Sequence, residues 1–197
     1  MRYDTDHKLQ TRQRVLRVAA RAIRSDGPTR VGVAAVMREA GLTHGGFYAH
    51  FSSKDELVAA AIGQMFEDGL ARWHESVDGR DVADGLAAYL RRYLSAVHRD
   101  APGHGCAIAA LAGEVPRLDR AARDAFAEGS HRLTQALADS LSRLGHGDAP
   151  TLATSVLAEL VGTLAMARCE SDRTRSDALL AASRRQLGRR LNLEIDA

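Results

Sequence analysis

Apolar residues recur every three to four positions through most of this 197-residue chain, with no sustained alternation of period two. That spacing predicts an all-α protein of about nine helices. Over residues 7–25, Leu9, Val15, Leu16, Ala19, Ala20 and Ile23 share a helical face, and Arg12, Arg14, Arg17, Arg21 and Arg24 occupy much of the rest. Asp26-Gly27-Pro28 ends this helix. A short helix over 33–40 presents Val33, Val36 and Met37 together, and Gly41 follows where a helix end often needs positive φ. Leu42 turns inward and Thr43 is placed to cap a second short helix, on which Phe47 and Phe51 must be buried together. Ser53 and Glu56 fit the capping box of a further helix, predicted to run over 54–76 past Trp73 without a flexible linker.

Beyond Asp78-Gly79 the pattern predicts a helix over 82–98, broken by Ala101-Pro102-Gly103, and a short one over 106–112. Pro116 fits the opening of a long helix reaching residue 144, with Leu118, Ala122, Phe126, Leu133, Leu137, Leu141 and Leu144 on a nearly constant face. Helices over 150–169 and 176–191 complete the chain. The first of these is apolar over an arc (Val156, Leu157, Leu160, Val161, Leu164, Ala165) too wide for one packing partner. The division expected is a three-helix head over 1–53 and a helical body over 54–197, with no internal repeat.

Four prolines and 5% aromatic residues agree with a helical chain. The net charge of +2 conceals an asymmetry, because residues 1–54 carry 10 Lys and Arg against 4 Asp and Glu. A basic end on a mildly acidic body suits a nucleic-acid-binding head on a body that does not wrap nucleic acid. The polar N-terminus has no signal-peptide core and no run approaches a spanning helix, so the expectation is a cytoplasmic protein with no membrane partner. Cys106 and Cys169 form no zinc pattern, and a permanent bridge between them is not expected. His98, His104 and Cys106 are the one loose cluster of metal-ligand types; the reading is no metal and no cofactor. No nucleophile–base pair at a plausible spacing and no phosphate-binding glycine loop supports an enzyme.

The candidate chemistry lies in the head. Thr43, His44, Gly45 and Tyr48 fall on the face of the second short helix opposite the phenylalanines, rich in donors and open at Gly45 to a groove wall. Lys54 stands in the first turn of the next helix, where it and the free N–H groups can meet one phosphate. Arg12 is the first-helix arginine expected to reach phosphate, while His50, beside Phe51, is either a DNA contact or a structural histidine. In the body, Met65, Trp73, Tyr89, Tyr93, Phe126 and Met166 are candidates to line an effector cavity, against a plain role in the core. Cys106 joins them, because a short helix starts at it and His104 is two residues away; both favour thiolate, and the alternative is a buried, space-filling thiol.

Gly27 followed by AGLTHGGFYAHFSSKDEL resembles the DNA-binding domain of the TetR/AcrR family of bacterial transcription regulators over roughly residues 7–62. The resemblance implies a dimer of all-helical subunits, each with a reading head and a body that binds a small effector and releases double-stranded operator DNA. Thr43, Tyr48, His50 and Lys54 match the family's DNA-facing positions, Tyr48 and Lys54 as phosphate contacts. Gly32 departs from the usual Ser or Thr cap, and Gly46 replaces Thr, Ser or Ala, loosening the reading helix by roughly 1 kcal/mol. The last two helices are expected to pair with their two-fold mates through Leu157, Gly162, Leu164, Leu180 and Leu187. The reading is a ligand-released repressor of a palindrome. A redox or electrophile sensor acting through Cys106 and a helical small-molecule carrier or enzyme are the alternatives; operator and effector are not legible.

Overall fold

The side chains of Ser53, Asp81, Ser95, Asp119 and Asp172 each accept a backbone N–H two or three residues on, and an α-helix begins after each of them. The computed structural model describes residues 2–195, with side chains from residue 6 onward. Its α-helices are α1 (Arg2–Asp26), α2 (Val33–Glu39), α3 (Lys54–Val77), α4 (Val82–Tyr93), α5 (Ala96–Asp100), α6 (Ala107–Leu111), α7 (Arg120–Arg143), α8 (Ala149–Cys169) and α9 (Arg173–Leu191). Tight 3-10 turns lie at His44–Ala49, Pro102–His104 and Val115–Arg117, and no strand occurs among the described residues. The all-α architecture is as expected.

Several boundaries differ from those the periodicity predicts. The helix over 82–98 is two helices, because Leu94 leaves helical geometry and the Ser95 hydroxyl accepts the His98 N–H at 3.1 Å, starting α5. Pro116 lies in a 3-10 turn, and the Asp119 carboxylate, accepting the Ala122 N–H at 2.9 Å, opens α7 in its place. Leu9 is 57% exposed, since the first turns of α1 run past the apolar centre of the head. Contrary to the expectation that no run approaches a spanning helix, the apolar α8 is long and apolar enough to cross a membrane by length and composition. Val156, Leu160 and Leu164 nevertheless pack in the core, where α8 lies between α7 and α9.

Val15, Ala19 and Ile23 of α1 meet Met37, Phe47 and Phe51, and this core continues into Ile62, Met65 and Phe66 of α3 and Leu111 of α6. A division at residues 53 and 54 therefore falls at the cap of α3, and apolar packing continues across it. The α3–α7 contact is close enough that a Cβ on Gly129 would overlap the Phe66 ring. A second core holds Trp73, Leu86, Leu90, Leu137, Leu141, Val156, Leu160 and Leu164. Leu157, Leu164, Leu180 and Leu187, expected at the subunit interface, belong to it and are already buried within the protomer. Within the wide apolar arc of α8, Val156, Leu157, Leu160 and Leu164 are buried, with α7 on one side and α9 on the other, while Val161 and Ala165 are half-buried. Gly162 does face outward, with nothing within 4 Å of where a Cβ would be.

The candidate DNA interface and the cavity in the body

Gly41 has φ +72°, the left-handed conformation expected at the turn between the two short head elements. Gly32 caps α2 without a side chain, its carbonyl accepting from Ala35 and Val36. The second element is a 3-10 turn and not an α-helix, and Thr43 does not cap it through its hydroxyl. With two glycines offering little helical preference the chain winds tightly, and the Thr43 carbonyl itself takes the Gly46 N–H at 3.1 Å. Phe47 and Phe51 are buried and stacked, their centroids 5.6 Å apart. That anchor leaves Thr43, His44, Gly45 and Tyr48 exposed; the Tyr48 ring, 71% exposed, stands edge-on to Phe47.

Around this surface the other head candidates are engaged with the protein. Lys54 Nζ donates to the Thr29 carbonyl at 3.1 Å, which holds its ammonium at the start of α3. Glu56 accepts from the Ser52 N–H and hydroxyl at 2.7 Å each, so the capping box reaches one residue further back than the motif predicts. Those bonds hold the Glu56 carboxyl below its usual range. Arg12 lies 4.7 Å above the Phe51 ring and 3.7 Å from Glu56, so it braces the head as well as adding charge. His50 is half-buried with Nδ1 enclosed and without a hydrogen-bond partner; burial, then Lys8 and Arg12, lower its pKa and favour the neutral ring.

In the body, α3, α4 and the segment through α5 to α6 enclose a cavity of about 230 Å3. Met65, Tyr89, Tyr93 and Cys106 line it, as the residue types suggested. The other three effector candidates lie elsewhere. Trp73 packs behind the wall, edge-on to Tyr89 at 4.6 Å; Phe126 packs edge-on to Phe66 at 5.5 Å; Met166 is 60% exposed on α8. Each was legible as a large side chain, but helix rotation decides which way it points. Arg72, Arg92 and His98 also line the cavity and were not anticipated. Arg72 carries a usable signal: it falls seven residues after the buried Met65, beside the apolar stripe of α3.

His98, not His104, is the imidazole at Cys106. The Cys106 N–H donates to Nε2 at 3.1 Å, so Nδ1 carries the proton and donates to the Tyr93 carbonyl at 2.7 Å. Burial pushes the His98 pKa down to about 4, and the ring is neutral at physiological pH. It supplies no positive charge to favour a thiolate, and neither ring nitrogen has a lone pair free for a metal. Cys106 itself is 8% exposed. Burial raises the pKa of both Tyr89 and Tyr93, whose hydroxyls therefore remain donors.

A buried arginine ties head to cavity. Arg24, at the end of α1, donates to the Gly103 carbonyl at 3.3 Å, the Met65 carbonyl at 3.1 Å and Asp68 at 2.9 Å. It stands four residues after Ala20 and eight after Leu16, within the apolar stripe of α1, which marks it as a buried cation. Gly103 lies so close to α1 that a Cβ there would sit 2.8 Å from the Ser25 hydroxyl oxygen.

Residues 15–61 match the model of the bacterial regulatory proteins of the tetR family, and residues 82–184 match that of the LmrA/YxaF-like transcriptional regulator C-terminal domain. The transcriptional regulator TtgR and the probable regulator ArpR, both from Pseudomonas putida, are each 39% identical over 74 residues. That match spans 36% of this chain and 35% of the length of these curated relatives. In fold, the chain is similar to reduced Escherichia coli NemR, with TM-score 0.80 and 21% identity over 91% of this chain and 96% of that one. A TetR-family regulator from Agrobacterium tumefaciens superposes with TM-score 0.78 and 24% identity, over 93% and 98% of the two chains. With a family head matched over residues 15–61, through the α3 cap, and a family body matched over more than half the chain, the protein belongs to the TetR family of helix-turn-helix transcriptional regulators.

Proposed function

We propose that this regulator is a repressor that binds a palindromic operator as a homodimer in the cytoplasm and is released when a small molecule enters the cavity of the body. The observation that carries this reading is the continuity of α3. Lys54 begins the helix in the head, and Met65, Gly69 and Arg72 on the same helix line the cavity. At about 1.5 Å per residue Lys54 and Arg72 are roughly 27 Å apart on one rigid element, so a ligand that displaces the cavity wall tilts the head. Arg24 and Gly103 supply a second connection, from the loop beside the cavity to α1.

The dimer surface we propose is the outward face of α8 and α9: Ala158, Gly162 and Met166, spaced by four, with Ala178 and Ala182. Its small side chains permit close helix approach, and the leucines beneath it belong to the protomer. We read the trigger as reversible binding and not as thiol chemistry, because the imidazole beside Cys106 is neutral and bonded to its N–H.

Anisotropy titrations of the DNA flanking its own coding sequence against random duplex, over a salt series, test the reading. Operator binding two dimer-spaced heads, and uniform weakening of all DNA by Lys54→Ala with a salt slope reduced by about one, support it. Equal affinity for operator and random duplex would refute it.

A further inference from the structure

The cavity has positive charge without a matching negative one. Arg72 lines it, and among the described residues its side-chain hydrogen bond is a 3.4 Å donation to the Gly105 carbonyl. Asp68, whose field reaches Arg72, is already occupied: one oxygen accepts from Arg24 at 2.9 Å and the other from Gln64 at 2.8 Å. Arg168, packed behind Gly105, donates to the carbonyls of Arg99 and His98 and meets no carboxylate among the described residues. Arg92 at the cavity is paired with Glu75 at 3.3 Å, but both are exposed and screened by solvent. Separately, the Tyr93 hydroxyl is buried in the cavity wall with no hydrogen-bond partner, lying against the Cys106 thiol, a weak acceptor at most. Met65, Phe66, Val97 and Leu133 give the cavity an apolar side, while Ser95, His98 and His104 complete its polar lining.

An unpaired guanidinium and an unmet hydroxyl donor ask for the same group, an anion that only accepts hydrogen bonds. We propose that the cavity takes a small monocarboxylate with an apolar body, the carboxylate held between Arg72 and Tyr93 and the body against Met65, Phe66 and Leu133. The planar fork of Arg72 suits a carboxylate's two oxygens, whereas an amine would add a second cation beside it. A neutral ligand would leave the guanidinium unpaired. Size narrows the class further. A dry cavity of roughly 150 Å3 accommodates benzene, so the 230 Å3 here fits one ring or its aliphatic equivalent with a short chain bearing the acid. This assignment rests on the reading of the cavity as the effector site.

The full-length protein, titrated with 3-phenylpropionate, 3-phenylpropionamide and 3-phenylpropylamine, gives the test. Calorimetry reports affinity, and so does emission from Trp73, the chain's one tryptophan, which packs on the cavity residue Tyr89. The acid is expected to bind about tenfold or more tightly than the amide, with no binding by the amine. Arg72→Gln should abolish the preference for acid over amide, Arg72→Lys should retain part of it, and Tyr93→Phe should weaken the acid several-fold and the amide, whose carbonyl accepts a weaker neutral bond, by less. The comparison of three ligands on the unaltered protein needs no variant to fold. Amide or amine binding as tightly as the acid, or no saturable binding of the acid up to about 10 mM, overturns the carboxylate assignment. The effector reading fails on a different result, a ligand that saturates the cavity without changing operator affinity.

Discussion

Arg24 and Gly103 are joined across the boundary between head and body: the guanidinium at the end of α1 donates to the carbonyl of the loop beside the cavity at 3.3 Å. The same side chain bonds the Met65 carbonyl and Asp68, so three elements meet on one buried charge. Replacing it by methionine of similar length leaves both carbonyls and the carboxylate short of a donor. Arg24→Met is expected to lower the unfolding free energy by about 2–4 kcal/mol, read from urea denaturation. A shift below 0.5 kcal/mol would mean that water replaces the arginine without cost.

Adjacent glycines in the reading turn have opposite expectations. A Cβ on Gly46 would make ordinary contacts of 3.7 Å with Thr43 and 3.8 Å with Met37, whereas one on Gly45 would meet nothing in the protein and project outward. Gly46→Ala should therefore raise the melting temperature slightly, a gain of up to about 1 kcal/mol, with operator binding kept. Gly45→Ala should fold normally and weaken operator binding at least severalfold. Melting curves and anisotropy on both variants decide it, and full operator affinity in Gly45→Ala would remove that position from the interface.

The neutral, half-buried His98 makes stability depend on pH with a definite sign. Its pKa falls from 6.5 to about 4 on folding, so between those values the unfolded chain binds a proton that the folded protein does not. The contribution is complete above pH 6.5 and is lost as pH falls toward 4, up to about 3 kcal/mol in all. Urea midpoints at pH 7.5 and 5 should show the loss, and His98→Gln should flatten it. His50, lowered by burial and by Lys8 and Arg12, acts in the same sense, so His50→Gln is the control.

Gly129 of α7 faces the Phe66 ring of α3 with no room for a methyl group: a Cβ would lie 2.1 Å from the nearest ring atom. Gly129→Ala is expected to cost about 1–3 kcal/mol in thermal or urea unfolding. Adding Phe66→Leu, which removes the ring, should recover part of that loss. Additive destabilisation in the double variant would place the strain elsewhere.

Charge on the outer face of α8 and charge beneath it should have different outcomes. Gly162→Arg has open space around it and is expected to give a folded monomer, seen by sedimentation at low micromolar concentration. Leu187→Glu places a carboxylate at a fully buried position and should abolish the cooperative melt instead. A dimeric Gly162→Arg would move the interface off this face.

Local chemistry made much of this protein legible from the chain. Four-residue spacing placed Phe47 on Phe51, a glycine marked the left-handed turn at Gly41, and Ser53 announced the start of α3, because a turn, a cap or a helical face is decided within a few residues. The exposed donors Thr43, His44 and Tyr48 followed from that anchor. Other features depended on partners distant in sequence. Leu157, Leu164, Leu180 and Leu187 were legible as buried, but only the packing of α8 between α7 and α9 decided that their cover is the protomer itself. Met166 turned outward and Arg72 inward by the same rotation of helices about their axes. The Asp119 cap, and not Pro116, set where α7 begins. Periodicity states that one face of a helix must leave water; which atoms replace the water is settled when the helices pack, and that step decided the cavity, the neutral histidine and the unpaired arginine.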